Sequence, residues 1–137
     1  MKILSTVVAA IAALCLGAAP ADGVTREIRA FLINDMRNLE RENLEAALQS
    51  FLPEMRDSAK AQLQPLFDRY DLRYNLVNMR VVSYSGNRAV VRVTQETRKV
   101  SGPQFQNNRL IAEHTLIKIG RKWFYADTKV IDIQMLD

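Results

Sequence analysis

The feature of the sequence that most restricts its fold is a change in hydrophobic period near Arg73. Before this residue, apolar side chains recur every three or four positions, as they do on one face of an amphipathic helix. After it, apolar and polar side chains alternate, as they do in a strand that buries one face. A helical half followed by a strand half predicts an α+β domain in which helices cover one face of a sheet.

The first predicted helix begins near Thr25. Its apolar stripe recurs at spacings of three and four and consists of Ile28, Phe31, Leu32, Met36 and Leu39. Charged side chains mostly fill the opposite face, and Asp35 is assigned to them together with Arg26, Glu27, Arg29 and Arg37. This pattern is typical of a helix that packs one side against a core.

Two further helices are predicted before the period changes. The second has Asn43 as a plausible N-cap and is stopped by Pro53, which has no N–H to continue the helix. Asp57 or Ser58 is expected to cap the third helix, and Pro65 is expected to break or kink it near its middle.

Four strands are predicted in the second half. The first strand starts near Asn75. The second covers 88–100 and the third covers 108–119. The fourth starts near Lys122 and continues toward Ile133. The segment Ser85-Gly86-Asn87 is a hairpin signal between the first two strands. Because the turns are short, neighbouring strands should pair antiparallel. The predicted fold is three N-terminal helices packed on a curved, mainly antiparallel four-stranded sheet, which encloses a pocket.

The N-terminal 21 residues have the composition of a secretory signal peptide. Lys2 precedes an uncharged stretch over 3–19, and Ala19-Pro20-Ala21 places small residues where a signal peptidase cleaves. We therefore predict a signal peptide over 1–21 and a domain over 22–137, exported to the periplasm or secreted. A membrane anchor is the alternative, because about 17 apolar residues is the lower limit for a membrane-spanning helix. Membrane contact is expected only through an uncleaved signal.

The single cysteine, Cys15, lies inside this predicted signal. A lipoprotein would need a small residue before the cysteine, and Leu14 stands there instead. After cleavage the chain has no thiol chemistry. It keeps 18 basic and 15 acidic residues, because the signal removes one lysine and no acid. No basic run typical of nucleic-acid binding is present. One histidine without a spaced cluster of ligands predicts no metal, and no motif predicts a cofactor.

Two segments resemble the nuclear transport factor 2-like superfamily, which includes SnoaL-like and ketosteroid isomerase-like proteins. The first segment contains Ile28-Arg29-Ala30-Phe31-Leu32 in the first predicted helix and the second predicted helix, which is followed by Pro53-Glu54. The second is a strand, glycine turn and Trp-bearing strand over 114–124. The resemblance covers about 25–133 and implies a cone-shaped, cystatin-like α+β fold. Because the superfamily contains enzymes, ligand binders and interaction domains, it does not select a function.

The catalytic residues of the isomerase members do not carry over. Those enzymes use an aspartate base and an oxyanion hole that contains a tyrosine. Here Phe31 is the only aromatic residue of the first helix, and the third strand has no aspartate. The remaining candidates are His114 as a general base and Asp127 as its cross-strand partner. The other interpretation of His114 is a structural residue of the sheet.

Aromatic side chains supply the candidate ligand-binding residues, namely Tyr70, Tyr74, Tyr84, Trp123 and Tyr125. Amphipathic rings suit ligands that have one polar end, although the same residues also serve ordinary core packing. A second group of candidates lies on the strands and consists of Arg80, Arg92, Glu96, Arg98 and Arg109. We expect these residues either to bind an anion or to form a solvated face with salt bridges. Both alternatives stay open at this level.

The sequence therefore predicts an exported, non-catalytic domain that binds a small molecule or a protein partner. A homodimer through the open face of the sheet is also expected. The alternative is a small enzyme of the isomerase, cyclase or dehydratase type that uses His114 as its base.

Overall fold

The computed structural model describes residues 22–137, in which helices precede a four-stranded sheet. The helices are α1 (Asp22–Glu40), α2 (Leu44–Leu48), a 3-10 turn (Pro53–Met55) and α3 (Arg56–Arg69). The strands are β1 (Asp71–Ser85), β2 (Arg88–Ser101), β3 (Asn108–Ile119) and β4 (Lys122–Met135). They follow one another in the order β1-β2-β3-β4, and all neighbours are antiparallel. The predicted α+β fold is confirmed.

The predicted signal peptide lies outside the described residues. Within 22–137, no helix is both long and apolar enough to cross a membrane. Helix α1 begins three residues before the predicted start at Thr25, and the added turn brings Val24 against the core. The N-cap at Asn43 is confirmed, because its side-chain oxygen accepts a hydrogen bond from the Ala46 N–H at 3.2 Å.

Helix α2 ends at Leu48, earlier than the predicted stop at Pro53. The chain leaves the helix because its next backbone groups pair with β4 instead. Phe51 forms a parallel bridge with Tyr125, and the Leu52 N–H donates to the Tyr125 carbonyl at 3.1 Å. This bridge fixes the segment after α2 along the free edge of β4.

The predicted caps of α3 were wrong, and so was the predicted break at Pro65. The helix starts at Arg56, directly after the 3-10 turn, and neither Asp57 nor Ser58 caps it. Pro65 does not interrupt the helix, which continues to Arg69. Proline removes one hydrogen bond to the carbonyl four residues earlier. That carbonyl belongs to Ala61, and both residues lie on the exposed side, where water can replace the missing donor.

The core forms where α1 packs on the inner face of the sheet. Ile28 and Leu32 of α1 are fully buried against Val91, Val93 and Leu116. Strand β1 begins at Asp71, four residues before the predicted start. It holds Leu72 buried on the same face.

The outer face of the sheet carries ion pairs. Arg92 pairs with Glu113 at 2.5 Å, and Arg109 pairs with Glu96 at 2.6 Å. Arg98 also contacts Glu96, at 3.4 Å. The Arg109 hydrogen bond holds the pKa of Glu96 below its usual range. Because these arginines already have carboxylate partners, the solvated salt-bridge interpretation fits better than an anion site.

Candidate functional site

A cavity of about 310 Å³ lies between α1, α3 and the inner face of the sheet. Its floor is buried and apolar, with Val93 from β2 and Ala112 from β3. Leu63 and Leu66 of α3 form the opposite wall, and Thr128 of β4 lies at its exposed rim. The cavity is large enough for a small ring compound, since a site of about 150 Å³ can hold benzene.

Asp35 is the polar group that distinguishes this cavity. Its side chain lines the cavity and is 6% exposed. Oδ2 accepts a hydrogen bond from the Tyr125 hydroxyl at 3.1 Å, whereas Oδ1 is buried and has no donor in hydrogen-bonding geometry among the described residues. Burial raises the pKa of Asp35 from 3.8 to about 6; the nearby Ser50 side chain, which is not in hydrogen-bonding geometry, and the Tyr125 hydroxyl oppose this rise only in part. A carboxylate in this state favours a hydrogen-bond donor or a cation as its partner.

Two tyrosines flank this carboxylate and remain protonated. Tyr125 is buried, and burial together with the charge of Asp35 keeps the pKa of its hydroxyl well above the usual range. Burial, followed by the charges of Asp35, Glu40 and Glu42, raises the pKa of Tyr74 to about 12. Both hydroxyls therefore act as neutral hydrogen-bond donors at physiological pH.

Aromatic contacts hold the Tyr125 ring in place. Its centroid lies 5.0 Å from that of Phe31, 5.2 Å from that of Phe51 and 4.9 Å from that of His114. Three tilted ring contacts and the hydroxyl bond to Asp35 leave this side chain little rotational freedom. The position of the Asp35 partner is consequently set before any ligand enters the cavity.

His114 also lines the cavity, but its partner is not the predicted one. Its Nδ1 lies 2.8 Å from the Thr128 hydroxyl oxygen. Asp127 stands opposite Thr115, one pair further along, so its side chain belongs to the outer face. The cause is a bulge at Ala126, which shifts the register between β3 and β4. If the pairing continued regularly from Leu116 and Tyr125, Asp127 would stand opposite His114.

The imidazole of His114 stays neutral in this environment. Burial in the cavity lowers the pKa of His114 from 6.5 to about 4. A neutral ring with Nδ1 bonded to a hydroxyl offers a ligand one nitrogen as donor or acceptor, depending on the tautomer. It does not supply a positive charge to balance Asp35.

The structure divides the five predicted ligand-binding aromatics among different places. Tyr74 and Tyr125 line the cavity. Trp123 is 5% exposed and lines a neighbouring groove between α1, α2 and the β3–β4 turn. Tyr70 closes the other end of the sheet, where its hydroxyl donates to the Gln104 carbonyl at 3.3 Å. Tyr84 packs against the core cluster.

The neighbouring groove is larger, about 410 Å³, but its acidic group already has partners. Glu27 accepts hydrogen bonds from Lys118 Nζ at 2.9 Å and from the Trp123 indole N–H at 3.2 Å. The Lys118 hydrogen bond lowers the pKa of Glu27, so this acid is satisfied in its ionised form. The smaller cavity with Asp35 is therefore the better candidate site. Among residues 22–137, no cluster of three or more metal-binding side chains occurs.

Sequence reasoning missed Asp35, although the signal was present. Ile28, Leu32, Asp35 and Leu39 follow one another at spacings of four, three and four. These spacings place all four side chains on one helix face. An acid at a position of the apolar stripe points toward the core, and such buried acids are typical of functional sites.

Comparison with known protein families gives a match over 30–136 to the family described as anti-sigma-I factor RsgI9, C-terminal domain. One relative is the anti-sigma-I factor RsgI9 of Acetivibrio thermocellus, which is 35% identical over 95 residues. The aligned part covers 69% of this chain but only 13% of that protein, so the chain spans a small part of its relative.

Solved structures with the same fold are only distantly related in sequence. A putative aromatic ring hydroxylase from Novosphingobium aromaticivorans has a TM-score of 0.69 and 12% identity, and the match covers 80% of this chain and 91% of that one. A putative scytalone dehydratase from the same species has a TM-score of 0.66 and 15% identity, with 82% and 87% covered. A protein of unknown function with a cystatin-like fold from Nostoc punctiforme has a TM-score of 0.64 and 12% identity, with 77% and 88% covered. At these identities the comparison establishes the fold alone.

Proposed function

The chain belongs to the family of the anti-sigma-I factor RsgI9 C-terminal domain, and we propose that residues 22–137 form an exported, non-catalytic recognition domain that binds a small molecule in the Asp35 cavity. The relative is a much longer protein, of which the matched part is 13%. A module of this kind would serve as the ligand-binding part of a larger assembly.

The observation that carries this proposal is the buried carboxylate of Asp35, one oxygen of which has no donor in hydrogen-bonding geometry, in the wall of a preformed cavity. Leaving a buried polar atom without a partner costs about 1–3 kcal/mol. The cavity combines this carboxylate with the fixed hydroxyl of Tyr125, the side chain of Tyr74 and apolar walls. Small-molecule sites have the same composition, namely mostly apolar surface with a few placed polar groups.

A ligand screen by thermal shift tests the proposal. The domain 22–137 is compared with Leu63→Trp, which fills the cavity from the α3 wall. We expect at least one compound to raise the melting temperature of the unaltered domain and not that of the variant, because binding to the folded state stabilises it by mass action. If no compound separates the two proteins, the cavity is not a ligand site.

Export is proposed from the composition of residues 1–21. The mature protein should then begin at Asp22. Intact-mass measurement on protein from the exported fraction decides this. A mass that retains 1–21, or a lipid on Cys15, would contradict it.

The name of the relative supports a second candidate function, namely binding of a protein partner of the sigma-I class. This candidate and export exclude each other for the same domain, because a sigma factor acts on RNA polymerase inside the cell. Fractionation of cells that carry a tagged full chain distinguishes them. Tag signal in the cytosol, together with co-purification of a sigma factor, would replace the recognition proposal.

A third candidate is an enzyme that uses His114 as its base. Thr128 rather than Asp127 would orient the imidazole. Mass spectrometry of a bound ligand after incubation decides between binding and turnover. An unchanged ligand supports recognition, whereas conversion that His114→Gln slows by about 10²-fold or more would identify a catalytic base.

A homodimer is also part of the proposal. Several large apolar side chains of β4, an edge strand, are exposed, namely Val130, Ile131, Ile133 and Met135. Exposed apolar patches often mark interfaces. Light scattering should report a dimer at about 0.1 mM, a concentration well above the Kd of a stable interface. A monomer at that concentration would contradict the proposal.

A further inference from the structure

The cavity has an imbalance of charge that indicates what it binds. Asp35 lines it, and no lysine or arginine does so among the described residues. Glu40 and Glu42 add negative charge next to Tyr74. Arg29 and Arg37 of α1 line a separate groove, which shares Tyr74 with the cavity. A ligand that brings a positive charge would balance the carboxylate, whereas an anionic ligand would be repelled by it.

The polar and apolar surfaces of the cavity are separated. Asp35 and the hydroxyl of Tyr125 lie together at one position, joined by their hydrogen bond of 3.1 Å. Leu63, Leu66 and Val93 provide apolar contact for the rest of a ligand. The aromatic faces of Tyr74 and Tyr125 are also favourable neighbours for an organic cation. This arrangement suits a molecule with one charged donor and an apolar body.

From this geometry we infer that the cavity takes an organic amine, with its ammonium group facing the Asp35 carboxylate and its ring or alkyl body against the α3 wall. This inference rests on the proposed ligand-binding function and adds the ligand class. The ammonium supplies both a hydrogen-bond donor and a positive charge that compensates the carboxylate, which no lysine or arginine lining the cavity provides among the described residues. A neutral alcohol would supply only the donor, and a carboxylate would supply neither.

Three probes of the same size separate these possibilities: benzylamine, benzyl alcohol and benzoate. Each has one benzene ring, which fits a cavity of about 310 Å³. Titrations of the domain 22–137 are followed by NMR through the amide signals of Tyr125 and Thr128. We expect benzylamine to bind with a Kd on the order of 1 mM, typical of a fragment of this size. Benzyl alcohol should bind about tenfold more weakly, and benzoate should not bind.

Two variants and one control locate the effect. Asp35→Asn keeps the shape of the side chain and should remove the preference for benzylamine over benzyl alcohol. Asp127→Asn removes the same charge from the outer face and should leave that preference unchanged. Leu63→Trp should abolish binding of every probe.

The outcomes separate the ligand class from the function. If benzyl alcohol or benzoate binds as tightly as benzylamine, or if Asp35→Asn keeps the preference, the amine assignment is wrong and the cavity remains a ligand site. If no probe gives a saturable shift at concentrations on the order of 10 mM, or if Leu63→Trp leaves binding intact, the inference fails together with the proposed use of the cavity.

Discussion

Replacing Asp35 by asparagine should stabilise the domain at neutral pH, contrary to the usual effect of a core substitution. The pKa of Asp35 is raised from 3.8 to about 6 by burial. A pKa difference of one corresponds to about 1.4 kcal/mol, so keeping this carboxylate ionised in the folded state costs about 3 kcal/mol at pH 7. Asparagine has the same shape and no charge, and it can still accept the hydrogen bond from Tyr125.

The stability difference between Asp35→Asn and the unaltered domain should depend on pH. Between pH 4 and 6 the folded state binds the Asp35 proton more tightly than the unfolded state does, so the stability contributed by this group falls as pH rises through that window. From pH 7 to pH 4.5 the cost of ionised Asp35 decreases by about 2 kcal/mol. The advantage of Asp35→Asn over the unaltered domain should therefore be about 1–3 kcal/mol at pH 7, because the new amide N–H groups must also find partners, and should shrink by about 2 kcal/mol at pH 4.5.

Urea unfolding at both pH values measures the effect. The single tryptophan, Trp123, is 5% exposed and provides a fluorescence signal for loss of the core. Asp127→Asn changes the same charge on the exposed outer face and should alter the free energy of unfolding by less than about 0.5 kcal/mol. A less stable Asp35→Asn at pH 7, or an advantage that does not change with pH, would refute the assignment of Asp35 as a buried ionised group.

Three more substitutions test neighbouring features by the same unfolding measurement. His114→Gln should lower the free energy of unfolding by about 1 kcal/mol at pH 7. Because the pKa of His114 is lowered, the unaltered domain loses about 2 kcal/mol of stability from pH 7 to pH 4.5. The variant should therefore be the more stable protein at pH 4.5, and a difference that stays constant with pH would contradict this. Tyr125→Phe removes the hydroxyl that donates to Asp35 Oδ2 and should lower the free energy of unfolding by about 1–3 kcal/mol at pH 7. An unchanged free energy of unfolding would show that the hydrogen bond contributes nothing. Gly102→Ala places a methyl group 2.5 Å from a backbone carbonyl at a φ of +123° and should cost more than Gly86→Ala, where φ is +60° and the space is open; equal losses would contradict the close approach.

The fold was predictable because it depends on a periodicity that persists over many residues. The change of period near Arg73 separates helices from strands, and the turn signal at Gly86 sets the first hairpin. Local rules were less reliable at the ends of elements, where tertiary hydrogen bonds decide. The helix ending in Leu48 was expected to continue, but β4 takes the backbone groups of the residues that follow. Likewise, solvent on the exposed side of α3 tolerates Pro65.

The candidate site was less predictable because it depends on single residues rather than on repeated pattern. His114 was found from its chemistry, but its partner was not, because one extra residue at Ala126 moves Asp127 to the outer face. No sequence feature marks that bulge. Asp35 was assigned to the charged face together with Arg26, Glu27, Arg29 and Arg37, although its spacing from Leu32 places it on the apolar face. Counting spacings from the buried stripe would have identified it as an inward acid.

The placement of Asp35 and His114 in one cavity has a consequence for how the domain responds to acid. Burial raises the pKa of Asp35 to about 6 and lowers the pKa of His114 to about 4. As pH falls from 7 to 4.5, protonation of Asp35 adds about 2 kcal/mol of stability, whereas the unfavourable charging of His114 removes about 2 kcal/mol. The two contributions nearly cancel, so the cavity itself makes stability almost independent of pH in this range. An ammonium ligand changes this balance, because it favours ionised Asp35 and lowers its pKa. The bound domain should therefore lose stability on acidification that the free domain keeps, and ligand affinity should fall as pH drops below about 6.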